Sequence, residues 1–122
     1  LAQVLPFLKQ HPRIEAVWFP LDEDFPQIAL ARQQMKGACG LVTLVMKAKT
    51  RAEIVRFCER LQHILLAVSW GGHESLVIPR CASLQEAEFD ANNQDHRLVR
   101  LYIGLEDADY LIADLDQALA QM

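Results

Sequence analysis

Leu98-Val99-Arg100-Leu101-Tyr102-Ile103-Gly104-Leu105-Glu106-Asp107 sets one arginine in a run of apolar, β-prone residues that stops at a glycine. Residues 98–103 therefore read as a strand, and Gly104 breaks it. Beyond the glycine, Leu111, Ile112, Leu115 and Leu119 recur at helical spacing, so residues 107–121 read as a closing amphipathic helix. A guanidinium among such neighbours is costly to bury unless a carboxylate or several acceptors meet it. Its planar fork suits a carboxylate gripped by two parallel hydrogen bonds. The alternative is an alternating strand that turns Arg100 to solvent and Leu98 or Leu101 inward.

Upstream stands Ser69-Trp70-Gly71-Gly72-His73-Glu74-Ser75-Leu76, between strand-like segments at 64–68 and Leu76–Pro79. Paired glycines let a backbone come close to a ligand without interference from a Cβ. The amide and hydroxyl of Ser69 then fit the same carboxylate as Arg100. The competing reading is a tight turn that Ser69 merely caps. His73 and Glu74 are adjacent, and in a strand they would point to opposite faces, so an acid/base pair is set aside.

Working further upstream, Thr50 and Glu53 have the spacing of a capping box. The helix they open has Ile54, Val55, Phe57, Cys58 and Leu61 on one face and Arg51, Glu53, Arg56, Glu59 and Arg60 on the other. Leu41–Met46 is apolar without a helical period and reads as a buried strand. Residues 26–36 read as a helix started near Pro26 and stopped by Gly37, Ile14–Trp18 as extended, and Leu1, Val4, Leu5 and Leu8 as a short helix closed at His11-Pro12. Residues 83–94 are polar, with a helix starting at Ser83 and a loop at Asn92-Asn93. Together these elements predict an α+β domain, a small and largely antiparallel sheet flanked by helices.

The composition narrows function. The 122 residues carry 12 Lys and Arg against 16 Asp and Glu, a net charge of −4, with 52% hydrophobic residues. One domain fits that length. An acidic chain without a basic patch is not expected to bind nucleic acid, and no apolar run approaches the length of a membrane helix. A cytoplasmic location is expected. Cys39, Cys58 and Cys81 show no metal-ligand spacing and are expected to be inert thiols, with no metal site. Lys36, Lys47 and Lys49 sit among charged or polar neighbours, unlike a nucleophilic lysine, which needs desolvation or a cationic neighbour. No glycine-rich loop suited to a phosphate is found.

The blocks around Ser69 and Arg100 resemble the C-terminal domain of the pyridoxal-phosphate-dependent enzymes of cysteine and methionine metabolism. The Ser-Trp-Gly-Gly form at Ser69 to Gly72 is most similar to the cystathionine β-lyases of that family. The segment from Phe25-Pro26 to Gln34-Met35-Lys36-Gly37 resembles it too, with Phe25 standing where the family has His and Cys39 where it has Gly. The resemblance implies a fold-type I enzyme whose large domain, outside residues 1–122, supplies the cofactor lysine and phosphate loop. It implies that Arg100, Ser69 and Trp70 bind the α-carboxylate of a small-molecule amino-acid substrate, with no catalytic or cofactor-binding residue in this chain. The expected activity of the whole enzyme is C–S lysis of cystathionine or a related sulfur amino acid. The start at Leu1 fits a fragment, and the chain alone is expected to be inactive, to bind no pyridoxal 5'-phosphate and to form a homo-oligomer. The alternative is a stand-alone, non-catalytic amino-acid-binding or self-associating module.

Overall fold

The computed structural model describes all 122 residues, in the order α1 (Val4–Gln10), β1 (Ile14–Trp18), α2 (Ile28–Gln34), β2 (Leu41–Met46), α3 (Arg51–Arg60), β3 (Leu65–Leu66), β4 (Leu76–Pro79), β5 (Leu98–Tyr102) and α4 (Ala108–Ala120). The five strands form one sheet in the order β1-β2-β5-β4-β3. Every pairing is antiparallel except β3 with β4. The α+β architecture read from the sequence is therefore the observed one, and β1, β2 and β4 have the bounds expected of them.

The sheet has two unlike faces because strand side chains alternate. Val42, Leu44 and Met46 of β2 and Val99 and Leu101 of β5 point to one side and are fully buried. Ile54 and Phe57 of α3, Leu111, Leu115 and Leu119 of α4, and Val4 and Leu8 of α1 complete that core. On the other side, Thr43, Arg100 and Ile78 lie opposite one another in a single row across β2, β5 and β4. No helix covers this row.

Helix α3 begins where the sequence predicts. The Thr50 hydroxyl accepts from the Glu53 amide at 3.3 Å, and the Glu53 carboxylate accepts from Thr50 N at 3.1 Å and Lys49 N at 2.6 Å. Asp107 caps α4 in the same way, accepting from the amides of Asp109 and Tyr110. Helix α2 buries only Ala31, which explains its weak apolar period.

Two expectations are corrected. The strand expected at 64–68 contracts to Leu65–Leu66, since this edge segment pairs on one side only and both side chains are exposed. The helix expected to start at Ser83 is replaced by three 3-10 turns, Arg80–Ser83, Glu86–Glu88 and Gln94–Arg97, and Ser83 ends the first of them. Too few apolar residues recur in this polar stretch to anchor a longer helix. The first turn is held from α3, whose Arg51 Nε donates to the Cys81 carbonyl at 3.1 Å and whose Nη2 donates to that of Ala82 at 3.4 Å.

One buried carboxylate escaped the sequence reading. Asp114 of α4, 3% exposed, accepts from the amides of Gln62, His63 and Ile64 at 2.8, 2.9 and 3.0 Å. Burial pushes its carboxyl up, and the three amides and Gln117 bring it below the usual carboxylate range. It ties the exit of α3 to α4.

Candidate functional site

The two sequence blocks meet at the ends of β4 and β5. Arg100 leaves β5 on the uncovered face, and its Nη2 donates to the Val68 carbonyl and, at 3.5 Å, to that of Ser69. No carboxylate pairs with it. The ion pairs of the chain involve Lys9, Arg32, Arg97 and two histidines instead. The alternating strand thus does turn Arg100 away from the core, and two main-chain carbonyls hold it where an anion was expected. A fork held at one nitrogen retains donors for an incoming carboxylate.

Arg100 lines an open cleft of about 450 Å³ with Thr43, Val68, Ile78, Leu98 and residues of the Arg80–Ser83 turn. Ser69 stands at its edge, exposed, and meets Arg100 through its carbonyl. Trp70 is 56% exposed. Neither Ser69 nor Trp70 lines the cleft. Gly71 adopts φ +87°, a left-handed conformation open to glycine at little cost, so the first glycine of the pair is required by the turn itself. The Tyr102 hydroxyl donates to the Gly72 carbonyl at 2.9 Å and fastens this turn to β5.

Where β4 begins and β5 ends lies a closed polar contact that the sequence reading missed. Ser75, fully buried, donates from its amide to Glu106 Oε1 at 2.6 Å and from its hydroxyl to Oε2 at 2.8 Å. The same hydroxyl accepts from the Gly104 amide at 2.9 Å. Burial pushes the Glu106 carboxyl up, yet the two Ser75 donors, together with its own amide and His73, hold the group below the usual range. Gly104 is required here for lack of room: a Cβ on it would fall 2.2 Å from the His73 carbonyl. The acid that follows Gly104 by two residues, facing a buried serine in the glycine block, was the available signal.

The argument that separated His73 from Glu74 is also corrected. Residues 71–74 form bends rather than strand, alternation does not apply, and His73 Nε2 comes within 3.0 Å of Glu74 Oε2. Both side chains are well exposed and lie outside the cleft. Cys58 and Cys81 are buried, and burial pushes the Cys58 thiol up to about 12, which leaves it un-ionised and inert. Lys9 is ion-paired to Asp22 and Asp24, and Lys36, Lys47 and Lys49 are exposed; none lines the cleft. No group of histidine, cysteine and acidic residues is arranged to hold a metal. No helix is long and apolar enough to cross a membrane.

Comparison with known proteins identifies the family and the fold. The family described as Cys/Met metabolism PLP-dependent enzyme matches residues 2–120. An L-methionine gamma-lyase of Pseudomonas putida is 40% identical over 97% of this chain and 31% of its own length. The human cystathionine gamma-lyase is 39% identical over 95% of this chain and 29% of its own. Among solved structures, a cystathionine gamma synthase of Xanthomonas oryzae pv. oryzae, in complex with aminoacrylate and cysteine, superposes with a TM-score of 0.81 at 29% identity, covering 98% of this chain and 32% of that one. The chain spans about three tenths of the length of the curated relatives it matches. The fold is that of the C-terminal domain of fold-type I pyridoxal-phosphate enzymes. From Ala2 to Ala120, the chain belongs to the family of PLP-dependent enzymes of cysteine and methionine metabolism.

Proposed function

We propose that this chain is the C-terminal, substrate-facing domain of a pyridoxal-phosphate-dependent enzyme that acts on a C–S bond of cystathionine or a related sulfur amino acid. Within it, Arg100 and Ser69 hold the substrate α-carboxylate and Trp70 flanks them. The observation that carries the reading is Arg100 itself. It is a guanidinium aimed into an open cleft, stationed by two carbonyls and matched by no acid. Such a group positions rather than reacts: two hydrogen bonds to a carboxylate fix both place and orientation of the amino acid. Trp70 in the Ser-Trp-Gly-Gly turn favours β-lyase chemistry, whereas the relatives described above are named γ-lyases and a γ-synthase.

The residues of this chain do not form a holder for the pyridoxal phosphate. No lysine reaches the cleft, and no glycine-rich strand-to-helix loop offers amides to a phosphate. On this reading the cofactor-bearing part of the enzyme lies outside residues 1–122, and the chain alone is expected to be inactive. Calorimetric titration of the chain with a small amino acid tests the site. Binding that Arg100→Ala abolishes is the expected result, and binding unchanged in that variant overturns the assignment.

A second reading has its own support. Leu65, Leu66, Val68 and Trp70 are 55, 57, 73 and 56% exposed along one short edge, an apolar row that a single domain in water rarely leaves bare. It fits a domain that associates with itself or with a larger partner domain. Sedimentation of the chain and of Leu66→Lys separates the cases, since self-association through this edge must weaken in the variant.

A further inference from the structure

The cleft that holds Arg100 has a second guanidinium. Arg80 stands at the start of the Arg80–Ser83 turn, two residues beyond Ile78, which lies opposite Arg100 in the sheet. It lines the same cleft as Ile78 and Arg100. The nine residues lining the cleft include these two arginines, the hydroxyl residues Thr43 and Ser83, and no acid. On a chain with more acidic than basic residues, such a cleft departs from the background.

An exposed arginine on a turn is ordinarily a solvated one. Arg80 differs in how its backbone is held. Pro79 before it and Cys81 after it are both buried, and Arg51 grips the carbonyls of Cys81 and Ala82. Neither an ion pair nor a side-chain hydrogen bond occupies its own guanidinium, and its Cα is fixed beside the cleft.

We propose that Arg80 is the second anion-holding group of this site, and that it selects amino acids whose side chain ends in another carboxylate. This rests on the reading of Arg100 as holder of the α-carboxylate. With one carboxylate on Arg100, a second carboxylate several ångströms away meets Arg80 as an intramolecular event, at high effective concentration.

The test is titration of the chain, at low salt, with glutarate, butyrate and inorganic phosphate, followed by amide NMR shifts. Glutarate should bind about tenfold tighter than butyrate. Arg80→Gln should erase that advantage and leave butyrate unchanged, with Arg80→Lys restoring part of it. An unchanged glutarate-to-butyrate ratio in Arg80→Gln overturns the proposal, as does phosphate binding as tightly as glutarate, because the cleft then reads charge and not span. Butyrate binding that survives Arg100→Gln would instead sink the role of Arg100, so the two failures are told apart.

Discussion

Two of the contacts that join the glycine block to the last strand and the residues after it link residues 31 apart: Ser75 with Glu106 and Ser69 with Arg100. The first is closed. A buried serine satisfies both oxygens of a carboxylate, and the serine oxygen is itself satisfied by the Gly104 amide. The second is open, a guanidinium touching only backbone carbonyls at the mouth of a cleft. Saturated polar contacts stabilise and shape a loop, while unsaturated ones nearby are left for a ligand.

The comparison predicts a graded series of effects. Glu106→Ala should be the most damaging, at about 2–3 kcal/mol, because the Ser75 amide and hydroxyl lose a charged acceptor. Urea denaturation reads it, and a loss below about 0.5 kcal/mol would mean that the contact is not structural. Gly104→Ala should cost about 1–3 kcal/mol, since the new methyl meets the His73 carbonyl and pushes the two blocks apart. Carboxylate binding should weaken in the same variant, an effect that a purely local defect would not produce.

Acid should act on the closed contact first. The folded Glu106 carboxyl titrates below its ordinary value of 4.5, so its contribution is complete above that pH and fades as pH falls through the lower folded value. Glu106→Gln should flatten the stability profile below about pH 4.5, and an unaltered profile there would remove Glu106 as a cause. The smallest effect on stability belongs to the open contact: Arg100→Ala should change it by no more than about 0.5 kcal/mol while removing carboxylate binding. A large loss of stability in that variant would move Arg100 into the structural class.

Much of the fold was legible because local physics agrees with the tertiary answer. Leu41–Met46 has the composition of a buried strand and is an interior strand, paired with β1 on one side and β5 on the other. The Thr50–Glu53 spacing marks a helix start whose hydrogen bonds lie within four residues. Where the partner is distant, legibility fails. The edge strand at Leu65–Leu66 depends on a single neighbour, and the turns between Arg80 and Arg97 depend on Arg51 and on buried Cys81 rather than on any period of their own.

The site divides in the same way. Its chemistry could be read along the chain: an arginine among apolar residues, a serine before two glycines, and the family resemblance they carry. That was enough to predict an α+β domain of a pyridoxal-phosphate enzyme family, because residue type and short spacing determine strand, helix cap and turn. Only the tertiary structure decided that Arg100 faces an acid-free cleft, that Arg80 shares it, and that Ser75 and Glu106 clasp the two blocks. Those facts depend on which strands become neighbours and on which face each side chain emerges, and sheet order and register are set by burial of the whole core.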